Sequence, residues 1–499
     1  MKASLELCVE VLGVIAVFAI TACAAQQSTP TQNVQSTVAP TPPVHTAKAS
    51  PAPPSCKFDP SWLDTDTLPS EVGEDDCSFH QFMWRSFVYL AKSGAGRARF
   101  ETWMPTYGVF VDKPNAQPAA WGTVPPTPCT AAASGKKNAP ASEGTAKPLL
   151  VYSSITKQAG VEQPLIDHQG TAVYYGIALN ELAYKWVTSC DLYRFGCSAQ
   201  LADLKGGVDL VKNYPQLAFP TGSVELKTAW KVLTDDEKKL ATFYTVTGQI
   251  TPDDQHPHAC KTVDLGLVGM HIVSKTANHP EFVWATFEHK NNAPDCTKLD
   301  ATAPLAGGWT FFDKTAYDNC KLPHCTNTYL KGSPAIVCRE HPSGDSNLGH
   351  YPDGNDCSAN PGQRICQPAI KQALASNTAA MVSINASASA AIGQSSALDK
   401  VWANYELVGN LWSQGGAVPP ITASQAGSLS AANTSMETFV QNGQAGITNP
   451  YNCVTCHNMV SGDGSTNLPP VGLSHIFKSV KPASGGCKDH QLPKTCAVN

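Results

Sequence analysis

Apolar residues recur along the middle of the chain with the two-residue period of half-buried strands. Ser223 to Val232 alternates through Val224, Leu226 and Trp230, and Phe243 to Val246 continues the pattern. Leu265 to Val273 and Phe282 to Phe287 are rich in β-branched and aromatic residues, with Asn278-His279-Pro280 between them as a hairpin turn. Leu149 to Tyr152 is a further short apolar run. Helical spacing is rarer. Phe82, Met83, Phe87 and Leu90 form an apolar stripe on a helix over Phe79 to Ala91. Gln367 to Ile392 is Ala- and Ser-rich, and helices are also expected over Ala397 to Trp412 and Ser435 to Gln441. Residues 125–147 and 313–366 are long loops rich in Pro, Gly and Asn, and there is no internal repeat.

The ends of the chain differ from its middle. Met1-Lys2 precedes an apolar run from Val11 to Ile20, too short to span a bilayer and suited to a signal peptide. It closes on Ile20-Thr21-Ala22-Cys23, similar to the lipobox in which Cys23 becomes the lipidated first residue; plain cleavage after Ala22 or Ala25 is the alternative. Ala24, where inner-membrane lipoproteins often carry Asp, implies the outer membrane. Residues 1–22 are thus expected to be a signal peptide, with the mature protein lipid-anchored on the periplasmic side of a bacterial cell envelope. Residues 23–55 are mostly Pro, Thr, Ser, Ala and Gln; with little to bury, they are expected to form a disordered tether.

About 445 residues remain, enough for two or three domains. Charged residues are 15% and the net charge is −5, which leaves no basic field for nucleic acid. Of 18 Cys, setting aside Cys8, Cys23, Cys453 and Cys456 leaves 14, an even number that implies disulfides in an oxidising compartment. Short separations suggest Cys56–Cys77, Cys190–Cys197, Cys260–Cys296 and Cys487–Cys496.

Cys453-Val454-Thr455-Cys456-His457 carries the chemistry. In a C-x-x-C-H pentad each thiol adds to one haem vinyl group, and the adjacent imidazole ligates the iron. With 18 Cys and 14 His in 499 residues, about 0.02 such pentads arise by chance. Half of a zinc site or a redox dithiol are the alternatives, but no second C-x-x-C completes a four-thiolate site. The reading is one covalent haem c held by Cys453, Cys456 and His457. The sequence then divides into a β-rich, disulfide-containing domain at 56–366 and a small, mainly helical haem region at 367–499, an α+β chain.

The sixth iron ligand decides whether such a protein transfers electrons or opens its iron to small molecules. Met459, the only Met after His457, is too close to it to reach the far face. The candidates are His475, after Pro469-Pro470, Met436, and an open or water-bound site; His271, on an apolar strand, reads as a core residue. An electron-transfer protein with a redox partner protein is the first reading. A haem peroxidase or oxidase is the second, and a partner-binding β module with an auxiliary haem the third.

Other groups carry less. His256-Pro257-His258 could hold copper or zinc but reads as a polar loop. Glu288-His289 reads as a solvated strand end or an acid/base pair. Trp402, Tyr405 and Trp412 read as core or as haem neighbours.

A set of segments in chain order, Phe82-Met83-Trp84, Glu101-Thr102-Trp103, Val224 to Trp230, Gly269 to Val273, Trp284 to His289, Tyr405 to Gly409 and the pentad, resembles a poorly characterised group of proteobacterial cytochrome c family proteins. That resemblance covers most of the chain after Cys56. It implies an envelope haem protein of unassigned reaction.

Overall fold

The computed structural model describes residues 55–94, 96–110, 116–125, 150–152, 164–197, 218–251, 260–319, 336–339, 368–413, 425–428 and 431–438, together with Cys453, His457, Ser474 and Ile476. The helices are α1 (Asp76–Ala91), α2 (Thr106–Val109), α3 (Glu181–Ser189), α4 (Asp235–Leu240), α5 (Lys314–Asn319) and α6 (Pro368–Gln394). The strands are β1 (Ser93–Gly94), β2 (Arg97–Ala98), β3 (Met104–Pro105), β4 (Leu150–Tyr152), β5 (Val173–Leu179), β6 (Val224–Val232), β7 (Thr245–Ile250), β8 (Lys261–Ser274), β9 (Val283–His289), β10 (Tyr405–Ser413) and β11 (Gln425–Gly427).

Alternation in the sequence becomes one nine-stranded sheet in the order β11-β10-β9-β8-β6-β5-β3. Every pairing along that path is antiparallel. The long strand β8 has β6 on one edge and serves β7 and β9 with its two halves on the other. β4 adds to β7 in parallel.

One face of the sheet is dry. Val224, Leu226 and Trp230 of β6, Met270 and Ile272 of β8, Ala285 and Phe287 of β9, and Leu407 of β10 meet Phe82, Trp84 and Phe87 of α1 and Met381, Ile384 and Ala388 of α6. Asp75 caps α1, its carboxylate accepting from the Ser78 N–H at 2.9 Å. The Trp84 indole donates to Asn385 of α6 at 3.1 Å, and Asn385 donates to the Leu407 carbonyl at 2.8 Å, which locks helices to sheet. Phe79 stacks on Trp412 at 3.7 Å and Phe87 on Phe287 at 4.4 Å.

Some expectations are corrected. Residues 400–404 are a 3-10 helix and Tyr405–Ser413 is a strand, not a helix, because Leu407 and Leu411 face opposite sides of the sheet. Through this strand the sheet extends across the boundary drawn at 366/367, and all described residues lie in the unit Ala52–Asn499. The part after residue 367 therefore contributes both helix and strand. Ser435–Thr438 is a turn rather than a helix, its chain tied by the Asn433 and Glu437 side chains. Cys56–Cys77 forms as expected. Cys296 pairs with Cys338 instead of Cys260: Cys260 precedes the half of β8 that pairs with β7, while Cys296 follows β9, which pairs with the other half. Cys190 and Cys260 are also disulfide-bonded, and Cys487–Cys496 lies outside the described residues. No described helix is long and apolar enough to cross a membrane. Residues 1–54, with Cys23 and the tether, lie outside the description.

Candidate haem site

The second face of the sheet is built in cross-strand rows. Adjacent same-face residues lie about 5 Å apart across strands, and successive rows about 7 Å apart along them. The first row is Tyr175–Ala229–Gly269–Glu288–Glu406, the second Ile177–Lys227–His271–Thr286–Gly409, the third Leu179–Glu225–Val273–Trp284–Leu411.

Residues 431–438 lie on the first two rows. Glu288 is fully buried and accepts from the Thr434 N–H at 2.8 Å, the Thr434 hydroxyl, Asn292 at 3.1 Å and Arg339 at 3.3 Å. Arg339 also reaches Glu406 at 3.1 Å, so one guanidinium neutralises two carboxylates that sit opposite each other on β9 and β10. Tyr175 donates to the Ser435 carbonyl at 2.7 Å. A Cβ at Gly269 would collide with Ser435 Oγ, so the glycine admits the segment. In the second row, Asn433 donates to Thr286 at 2.8 Å and His271 Nε2 meets Glu437 at 2.8 Å. Burial opposes ionisation of Glu437, but His271, Lys227 and the Asn433 N–H together outweigh it and hold this carboxyl below its ordinary value.

The pentad lies on the third row. Cys453 and His457 both have helical backbone, four residues apart, which puts them on one side of a single turn. The His457 ring lies 4.2 Å from the Trp284 ring, tilted by 55°. Cys453 is half-buried and packs with Trp284 against a cluster that includes Leu179, Tyr184, Trp186, Val273, Phe282 and Leu411. Ile476 is buried in the same cluster, and Ser474 donates to Glu225 in the same row. Burial drives the Glu225 carboxyl up to about 7 against the opposing pull of Ser474 and Lys227.

These residues fit a haem: a thiol and an imidazole on one helical turn, against an apolar aromatic wall. One wall residue, Trp284, has a buried indole nitrogen with no hydrogen-bond partner among the described residues. Cys456 and His475 lie outside the described residues, although both neighbours of His475 seat on the third row or its cluster. Met436 is not brought to His457. It is fully buried among Val173, Ala229, Val268 and Phe311, by the first row, two rows or about 13 Å along the strands from Trp284.

The remaining candidates have structural places. Glu288 and His289 are both buried rather than solvated. His289 lies 3.0 Å from the Thr242 carbonyl and stacks on Phe243 at 4.1 Å; burial lowers it to about 3, leaving it neutral. Trp402, Tyr405 and Trp412 belong to the core on the dry face. His256 and His258 lie outside the described residues. Among the described residues no three His, Cys, Asp or Glu gather to hold a metal ion.

Sequence reasoning passed over Glu225 and Trp284 as site residues. Alternation along β6 puts Glu225 with Lys227 on a polar face, which normally meets water. Here the later chain covers that face. No family model, no curated protein and no solved structure matches this chain.

Proposed function

We propose that the protein is a membrane-anchored mono-haem c-type cytochrome of the bacterial cell envelope that transfers electrons to or from a partner protein. The observation that carries this is the pentad Cys453 to His457, seated by Cys453 and His457 on an aromatic, apolar sheet face. Bound haem would supply a one-electron ferric/ferrous couple. Cys453 and Cys456 would tether it by thioethers, and His457 would be the proximal ligand. The surrounding Trp284, Val273 and Leu411 exclude water and lower the local dielectric, which favours the less charged oxidation state. His475 is the distal ligand we favour over Met436, because its neighbours Ser474 and Ile476 return to the row of Trp284 whereas Met436 is packed elsewhere. Cys23 would carry the lipid, with 23–55 as the tether to an outer-membrane anchor.

Protein exported in a haem-attaching host should keep its haem through denaturing electrophoresis, and Cys453→Ala/Cys456→Ala should lose it. Extractable haem, or none, would refute the proposal. Cys23→Ser should move the protein from the membrane to the soluble periplasmic fraction.

A haem enzyme of peroxidase or oxidase type, with an open sixth position, is the second reading. The carboxyl of Glu225 on the third row, poised near 7, is the observation in its favour. A low-spin ferric spectrum that His475→Ala turns high-spin supports electron transfer. A high-spin spectrum in the unmodified protein that shifts with cyanide or peroxide supports the enzyme.

A further inference from the structure

Three tryptophan nitrogens of this protein have defined partners. Trp84 donates to Asn385 at 3.1 Å, Trp230 to Thr228 at 2.8 Å, and even the exposed Trp309 donates to the Ala301 carbonyl at 3.0 Å. Trp284 is 6% exposed, and its Nε1 has none among the described residues. A buried donor left unmade costs about 1–3 kcal/mol, and native proteins retain few without a reason. This donor belongs to the ring packed 4.2 Å from His457, in the cluster that takes Cys453 and Ile476. Its cross-strand neighbours, Val273 and Leu411, are aliphatic and offer the indole no side-chain acceptor. A haem held by the pentad would bring acceptors to this row, its two propionate carboxylates.

We propose that Trp284 is a haem-positioning residue: it packs on the imidazole of His457 and donates its indole N–H to a haem propionate. The inference rests on the haem reading above. The ring fixes the plane of the proximal imidazole, since β9 is held on both edges by β8 and β10. The N–H donor partly neutralises a propionate charge in a low-dielectric setting, which favours ferrous iron.

Trp284→Phe keeps a ring against His457 and removes only the donor. Trp186→Phe, in the same cluster on α3, controls for simple packing. In covalently haem-loaded protein, Trp284→Phe should lower the midpoint potential and shift the propionate bending band in resonance Raman spectra, while Trp186→Phe moves neither. Trp284→Leu should add a broadened ferric spectrum as the imidazole loses its wall. Equal potentials and Raman bands in unmodified protein and Trp284→Phe would overturn the inference. If Trp284→Phe does not fold, ultraviolet resonance Raman of the unmodified holoprotein decides. An indole N–H that gains a hydrogen bond in the holoprotein relative to the haem-free Cys453→Ala/Cys456→Ala protein sustains the proposal, and unchanged indole bands overturn it. Absence of covalent haem in the unmodified protein would instead refute the haem reading itself, so the two failures are distinguishable.

Discussion

The two faces of the central sheet solve different problems. The dry face carries interlocking aromatics from α1, α6 and four strands, where full burial of each large side chain is worth about 1.5–3 kcal/mol. It makes few polar contacts, and those that exist, such as Trp84 to Asn385, tie helix to sheet. The other face holds charged and polar groups on its first two rows, and Tyr175, His271, Thr286 and Glu288 among them meet partners on residues 431–438. Hydrophobic burial tolerates many arrangements, whereas buried hydrogen bonds and ion pairs accept one register. The dry face therefore supplies stability, and the polar rows fix where the C-terminal chain lies, with the pentad on the row beside them.

The largest test of this contrast is Trp84→Ala on the dry face. It should cost about 3–5 kcal/mol by chemical denaturation. Glu288→Ala should cost about 3 kcal/mol or more, because Arg339 loses one of its two carboxylates and the buried Thr434 N–H loses its acceptor. Unlike Trp84→Ala, it should raise hydrogen exchange across 431–438 more than in α1; equal rises would break the distinction between the faces. Replacing Cys56 and Cys77 by Ala opens a link across 21 positions and should cost about 3 kcal/mol, read as a lower denaturation midpoint.

Acid should weaken the dry side through His80. Burial lowers it to about 4, so its neutral form belongs to the fold and stability falls as pH drops from about 6.5 toward 4. At pH 5 the loss relative to pH 7.5 should be about 2 kcal/mol, and His80→Gln should remove that slope. The smallest effect is local and of opposite sign. The Glu225 carboxyl, raised to about 7, favours the fold when protonated, so its contribution is full below about 4.5 and lost as pH rises through 7. Protection of the Ile476 amide, which donates to Ser474 at 3.1 Å, should fall over that range, and Glu225→Gln should flatten the fall.

Much of the framework was legible along the chain. Period-two stretches gave β6, β8 and β9 because a strand with a buried face must alternate, and the apolar stripe from Phe82 to Leu90 gave α1 for the matching reason at helical period. The strand at Tyr405–Ser413 was misread as helix. Its β-bulge between Leu407 and Gly409 breaks the alternation that would mark it. β5, with Val173, Tyr174 and Tyr175 all buried, offers no clean alternation either, since both faces are covered.

The pentad was local, five residues whose spacing is set by one helical turn, and sequence alone determined it. The Cys56–Cys77 bridge was legible because short separations favour pairing. What covers Glu225, His271 and Glu288 was not. Their strands show acids and a histidine on faces that normally meet water, and only a chain segment some 150 to 250 positions later turns those faces inward. The place of Trp284 beside His457 is of the same kind: 173 positions separate them, and no local periodicity encodes which distant segment returns to which row of a sheet. Sequence sets the period and chemistry of each segment because those are short-range properties. Tertiary structure decides their pairing because register is fixed only when buried polar groups must all find partners at once.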